Sequence, residues 1–330
     1  MSGLERKVTQ MTRSGASLRV GVIGAGRVGS VLAAALRSAG HEIVAVAGES
    51  DASRRRAAAL LPGVPVEKPT AVARQADLLV LTVPDDMLAN VANMLSASGA
   101  IRSGQLVLHT SGRHGLGVLS EAAAVGARTI AMHPAMTFTG TEVDLPRLLG
   151  CVFGVTAGAD EREVAHDLVA DLGGSPMWVP EERRALYHAA LAHGANHLVT
   201  LVAQAREMLS AVAADDPAQA GYDPADTLRP LLTAALDNAL HDGDAALTGP
   251  MVRGDAGTVE AHLQEVAAVA PHTLPSYVAL AGDTLDRVVT DGRVLPIRAA
   301  KIRRLLEAAV AGPLASGATR LAAVVRREQR

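Results

Sequence analysis

The sequence predicts an α/β chain: a doubly wound parallel sheet followed by a second, all-α domain. Three observations carry this. Residues 19–40 pass from an apolar run through a glycine-rich turn into a helical pattern, and a second strand follows at Glu42 to Ala47. Short apolar runs and helical patterns then alternate to about residue 180. From Glu181 the strand signals vanish and apolar residues recur at helical spacing.

The first element is Arg19 to Ile23, a β-branched run suited to a buried strand. Gly24-Ala25-Gly26-Arg27-Val28-Gly29 follows as G-x-G-x-x-G, and the helical pattern from Val28 stops at Gly40. Gly24 permits the tight turn, Gly26 lets backbone approach a pyrophosphate, and Gly29 lets the helix pack on the strand. The amides of Arg27, Val28 and Gly29 open the helix and offer free donors and a positive dipole end to phosphate. Strand, turn, helix and strand in this order make a Rossmann βαβ unit with a dinucleotide site. Further strands are predicted over 64–66, 78–83, 105–109, 128–132, 151–156 and 176–179. Helices are predicted near 51–61, 69–75, 85–97, 115–125 and 160–172. Glu181 to Ala214 forms one long helical stretch, Pro217, Gly221 and Pro224 mark a loop, and helices follow near 225–240, 259–270, 276–291 and 295–310. The expected organisation is a loose tail over 1–17, with Met11 as an alternative start, a dinucleotide-binding domain over 18–180, and a helical substrate and dimerisation domain over 181–330.

Composition narrows the function. The 330 residues carry a net charge of −3 without a long basic run, which gives no reason to expect nucleic acid as a partner. No apolar run approaches the roughly 18 residues of a membrane span, and residues 1–17 lack an apolar stretch of signal-peptide length. The single cysteine, Cys151, lies in an apolar run and reads as a core residue. It excludes a disulfide framework and fits a reducing, cytoplasmic setting. Lysines are confined to Lys7, Lys68 and Lys301.

Ligands of a doubly wound sheet bind beyond the carboxyl ends of its strands. After the second strand, Glu49 argues for NAD, whereas Ser50, Ser53 and Arg54 suit the 2′-phosphate of NADP. The balance favours NADP, with NAD possible. After the fourth strand, Val83 and Pro84 run beside the cofactor, and Asp85 and Asp86 complement a helix dipole. After the fifth, His109-Thr110-Ser111-Gly112 lies near the expected nicotinamide, with Thr110 and Ser111 as contacts. His133 ends the next strand. Ser111 lacks a G-x-S-x-G elbow, so a serine hydrolase is not expected. In the helical half, His188 and Asn196 are placed to flank one ligand, and a mid-helix asparagine calls for a reason to be there. His193 and His197 have metal-ligand spacing but no third ligand, so no metal is expected. In the loop from Ala246 to Thr258, Thr248, Arg253 and Thr258 suit an anionic substrate group, and an ordinary inter-helix connection explains the same residues.

The succession GAGRVG, TVPDD, HTSG, HP, YHAA…AN and ALTGPMVRGD resembles the family of Rossmann-like proteins that carry a DUF2520 domain, over about residues 18–280. That family is similar to pyrroline-5-carboxylate reductase and, more distantly, to β-hydroxyacid dehydrogenases and ketopantoate reductases. The resemblance implies an NAD(P)-dependent oxidoreductase with a dimerising helical domain, a homodimer, acting on a small keto acid or cyclic imine. Asn196 matches the asparagine of the hydroxyacid enzymes, but Ala192 stands where they place a lysine. The proton donor is then expected to be His188 first and His133 second, and Asn196 orients the substrate. The alternative is a non-catalytic NAD(P)-sensing protein on the same scaffold.

Overall fold

In the computed structural model, which describes residues 17–311, the chain divides between Gly194 and Ala195 into two compact units. Of the expected tail over 1–17, residues 1–16, Met11 included, lie outside the described residues. The first unit has strands β1 (Arg19–Ile23), β2 (Glu42–Ala47), β3 (Leu78–Leu81), β4 (Leu106–His109), β5 (Arg128–Pro134), β6 (Val152–Ala157) and β7 (Ser175–Trp178). They form one sheet in the order β2-β1-β3-β4-β5-β6-β7, parallel except where β6 runs against β5. Chain order reverses between β1 and β3, so the ligand crevice opens beyond their carboxyl ends.

Six helices cover the two faces: α1 (Arg27–Ser38), α2 (Asp51–Leu60), α3 (Pro69–Gln75), α4 (Asp85–Ala97), α5 (Ser120–Ala124) and α6 (Arg162–Asp171). Leu32 and Leu36 of α1, Leu60 of α2 and Leu168 of α6 share one core with Val20, Val22 and Phe153. Val72 of α3, Leu88 and Leu95 of α4 and Ala122 of α5 share the other with Leu79 and Leu81. Strands covered on both faces need near-continuous apolar runs, and β3 and β4 are buried throughout. The predicted doubly wound Rossmann sheet is the observed one.

The remaining departures have local causes. The expected strand over 64–66 is reduced to one parallel bridge, Val46 to Val66, because Pro65 has no amide to give to a ladder. The expected helix over 115–125 splits into a 3₁₀ turn, Leu116–Leu119, and α5. The single helical stretch from 181 is α7 (Arg184–Leu191), one π-helical turn (Ala192–Asn196) and α8 (His197–Ala214). Gly194 and Asn196, both weak helix formers, occupy the widened turn.

The second unit comprises α8, α9 (Pro224–Asp242), α10 (Pro250–Arg253), α11 (Ala256–Val269), α12 (Leu274–Thr290) and α13 (Pro296–Ala311). Met251, Val259, Leu263, Leu285, Val288, Ile302 and Leu306 build its core from α10 to α13. Asp223 and Asp255 cap α9 and α11 by accepting from the amides of Ala225 and Thr258. α8 buries none of its residues, and α9 buries Pro224 and Leu228. Among the described residues, no helix is long and apolar enough to cross a membrane.

Two glycine-turn and strand-end features yield tests. A Cβ on Gly29 would collide with the Gly24 carbonyl oxygen and Thr82 Oγ1. Gly29→Ala should therefore cost about 1–3 kcal/mol in urea unfolding, an overpacking penalty against atoms that cannot retreat. His109 is fully buried at the end of β4; its Nε2 meets the Gly115 carbonyl at 2.8 Å and its Nδ1 accepts from the Ser111 amide at 3.1 Å. This fixes a neutral ring with the proton on Nε2. Burial is the main cause that lowers its pKa from 6.5 to about 4. A folded value below the unfolded one means its stabilisation is present above pH 6.5 and lost as pH falls toward 4. The loss across that window is about 3 kcal/mol, and His109→Gln should flatten the pH dependence of unfolding there.

Candidate active site

The glycine turn is held from both neighbouring strands. The amides of Gly24 and Ala25 both donate to the Ala47 carbonyl at the end of β2, each at 2.9 Å. The Thr82 hydroxyl, just past β3, donates to the Gly24 carbonyl at 2.6 Å. Gly24 has φ +102, and a Cβ there would lie 2.7 Å from the Thr82 carbonyl carbon. Only glycine fits that turn. At Gly26 the situation is reversed. A Cβ there would meet nothing closer than 3.8 Å, so it would project into open space over the α1 N-terminus. That terminus has no side-chain cap and no acid in its first turn. Its amides thus point, unshielded, at a volume a pyrophosphate would fill.

This volume belongs to a cavity of ≈1170 Å³ beyond the carboxyl ends of β1, β2 and β3. Gly24, Gly26, Val28, Ser50, Val83, Pro84, Thr110 and Ser111 line it. Gly29 lies behind the turn, buried against Thr82. The Arg27 side chain packs beside Gly140, and Arg54 donates to the Glu49 carbonyl at 2.6 Å rather than lining the cavity. Ser53, Glu67 and Lys68 also line it. Glu67 and Lys68 follow the run at 64–66, and applying the strand-end rule to that run would have singled them out.

Thr110 and Ser111 form one end of the cavity, and the loop they open leads to a cluster of rings. A Cβ on Gly112 would lie 2.5 Å from His188 Cδ2 and 3.2 Å from His133 Nε2, so the missing side chain makes room for both imidazoles. His133 and His188 meet edge to face with centroids 5.9 Å apart. His133 Nδ1 is 3.1 Å from the Tyr187 hydroxyl, which lies against Gly154. Burial first, then the charges of Arg184 and His188, lower the His133 pKa to about 4. His133 is therefore neutral at pH 7 and carries no readily released proton.

Beneath the cluster lies Arg184, 1 % exposed. Its guanidinium donates to the carbonyls of Ser111 and Gly154 and faces Tyr187 at 5.7 Å. It forms no ion pair among the described residues, and its buried Nε lacks a hydrogen-bond partner. Burial pulls its pKa below the usual arginine value. Glu181 supplies a nearby negative charge while accepting from the amides of Leu116 and Gly117 at 2.7 and 3.1 Å. Sequence reading passed over Arg184, because an arginine in a helical pattern looks like a solvated one.

The other expected site residues lie in or beside the second unit. Asn196 closes the π-helical turn and is exposed. Single π turns occur often at functional sites. Thr248 lines a smaller cavity of the helical unit. Arg253 ends α10, and its carbonyl accepts from Arg298. The Thr258 hydroxyl donates to Asp255 within the α11 cap. No group of three or more potential metal ligands occurs among the described residues.

Two family models match the chain. A Rossmann-like domain covers residues 5–134, and the domain of unknown function DUF2520 covers residues 151–284. No curated protein matches the sequence. A candidate NADP oxidoreductase from Bacteroides fragilis shares 23% identity at TM-score 0.68, covering 82% of this chain and 98% of that one. The 1-pyrroline-5-carboxylate reductase of Streptococcus pyogenes shares 16% at TM-score 0.54, covering 84% and 99%. An imine reductase from Myxococcus stipitatus, solved with NADP+, shares 15% at TM-score 0.55, covering 82% and 93%. These likenesses extend the common fold through both units. The chain carries a Rossmann-like domain followed by a DUF2520 domain.

Proposed function

We propose that this chain is an NADP-dependent oxidoreductase that reduces a small polar keto acid of the ketopantoate type or a cyclic imine of the pyrroline-5-carboxylate type. One observation carries the reading: the open cradle at Gly26 and the Thr110–Ser111 end beside the His133–His188 cluster belong to one continuous cavity. The similar structures, an NADP oxidoreductase, a pyrroline-carboxylate reductase and an imine reductase, support the same class.

The reduced coenzyme, when bound, supplies the hydride. The chain's own residues supply the rest. The amides opening α1 hold the pyrophosphate. Thr110 and Ser111 hold the nicotinamide end, in a loop pinned by His109 and Arg184. His188 is the proton donor, releasing a ring N–H proton to the carbonyl oxygen or the imine nitrogen. His133, kept neutral, packs against His188 and fixes its setting. Arg184 carries a positive charge with no paired carboxylate, and its field favours a substrate with an anionic group. Both proposed substrate types carry a carboxylate.

A homodimer belongs to the same proposal. Leu198, Val199, Leu201 and Val212 on α8, with Leu231, Leu236 and Leu240 on α9, are exposed apolar residues on helices that bury almost nothing. A second copy would cover them. Light scattering should give twice the chain mass, and Leu236→Glu with Leu240→Glu should halve it.

The activity test is NADPH oxidation with ketopantoate and with pyrroline-5-carboxylate. His188→Ala should lower kcat about 10²–10⁴-fold while leaving NADPH affinity unchanged. An unchanged kcat would remove His188 from the chemistry. Failure of the wild-type protein to bind either coenzyme would end the oxidoreductase reading.

A further inference from the structure

We propose that Lys68 is the residue that recognises the 2′-phosphate of a phosphorylated adenosine and so sets the preference between the two nicotinamide coenzymes. This rests on the coenzyme reading above and adds to it a residue that the fold, not the glycine motif, brings to the site.

The placement comes from backbone register. Val46 of β2 pairs in parallel with Val66. The Val46 amide donates to the Pro65 carbonyl, and the Glu67 amide donates back to the Val46 carbonyl, both at 2.9 Å. Counting two residues along each chain sets Lys68 beside Gly48, just beyond the end of β2. In dinucleotide-binding sheets that is where the 2′ position of the adenosine ribose is read. Lys68 then caps α3. Its carbonyl accepts from the amides of Ala71 and Val72, and the following Pro69 holds it extended at φ −67, ψ 145. The base of the side chain is therefore fixed, while its ammonium rides on a flexible stem.

Charge selects Lys68 from the other candidates. It is the one Lys or Arg among the residues lining the cavity. It forms no ion pair among the described residues. Arg54 and Arg56 of α2 are engaged elsewhere, and Arg55 is not among the residues lining the cavity. Arg54 donates to the Glu49 carbonyl and lies 3.9 Å from Asp51, and Arg56 Nε packs against Gly140. Ser50 and Ser53 line the cavity and bond each other through their hydroxyls at 2.9 Å, a neutral pair able to turn toward phosphate oxygens. Glu49 and Glu67 line it too. The Glu67 carboxylate is held by the Gln75 amide at 2.7 Å. Two carboxylates beside the ribose would repel a phosphate dianion and favour a free diol. Lys68 is the opposing charge, and its loss leaves the acids unanswered.

The test is coenzyme affinity by fluorescence titration, measured for NADPH and NADH, with 2′,5′-ADP and 5′-AMP as probes that carry no nicotinamide. Lys68→Met should weaken NADPH and 2′,5′-ADP about 10- to 100-fold, the worth of one charged hydrogen bond. NADH and 5′-AMP should bind as before. Lys68→Arg should restore NADPH. Lys68→Met protein that keeps its NADPH preference overturns the assignment, most directly if Arg54→Ala loses it instead; the oxidoreductase reading then stands. Wild-type protein that binds 5′-AMP and 2′,5′-ADP equally also overturns it. Unchanged NADH affinity in Lys68→Met reports that the fold and cradle are intact.

Discussion

The constraint on which the rest depends is the contact between α1 and the end of β3 through Gly29. Gly29 has no room for even one methyl group, because the Gly24 carbonyl and the Thr82 hydroxyl occupy it. That hydroxyl in turn donates to the Gly24 carbonyl. The turn is therefore clamped between β3 on one side and, through Ala47, β2 on the other. Helix α1 cannot tilt away from the sheet, so its free amides point at a fixed place. The crevice over the strand ends follows from that rigidity.

A second constraint works at the opposite end of the cavity. Arg184 ties the Ser111 loop to β6 by donating to the carbonyls of Ser111 and Gly154. A buried cation without a carboxylate partner is costly, and its carbonyl acceptors offset only part of that. Such an arrangement raises the local potential, which helps to keep His109 and His133 uncharged. The two histidines thereby serve as neutral hydrogen-bonding and packing groups. Gly112 and Gly154 complete the cluster by leaving space for His188 and Tyr187.

Much of the site was legible in the chain, because close backbone approach can be met in few ways. Gly24, Gly26 and Gly29 each have the separate physical reason that the G-x-G-x-x-G pattern assigns. His109 and His133 were visible as strand-end residues, but which one is structural depends on partners, Gly115 and Ser111 for one and Tyr187 for the other. Lys68 was noticed only as a rare residue type. Its setting depends on a single bridge beyond a proline-interrupted strand, which periodicity does not resolve. Arg184 was hidden for a similar reason: burial of a charged residue leaves no mark in composition or spacing.

Local rules were sufficient for the succession of elements, the doubly wound class and the glycine cradle, since strand, turn and helix propensities act over a few neighbouring residues. They were not sufficient for the reversed direction of β6 or for the meeting of Ser111, His133, Arg184 and His188. Those depend on contacts between segments up to 73 residues apart. Such contacts form only when the two cores pack, because burial then decides which polar groups must find partners and which charges are left to act on a ligand.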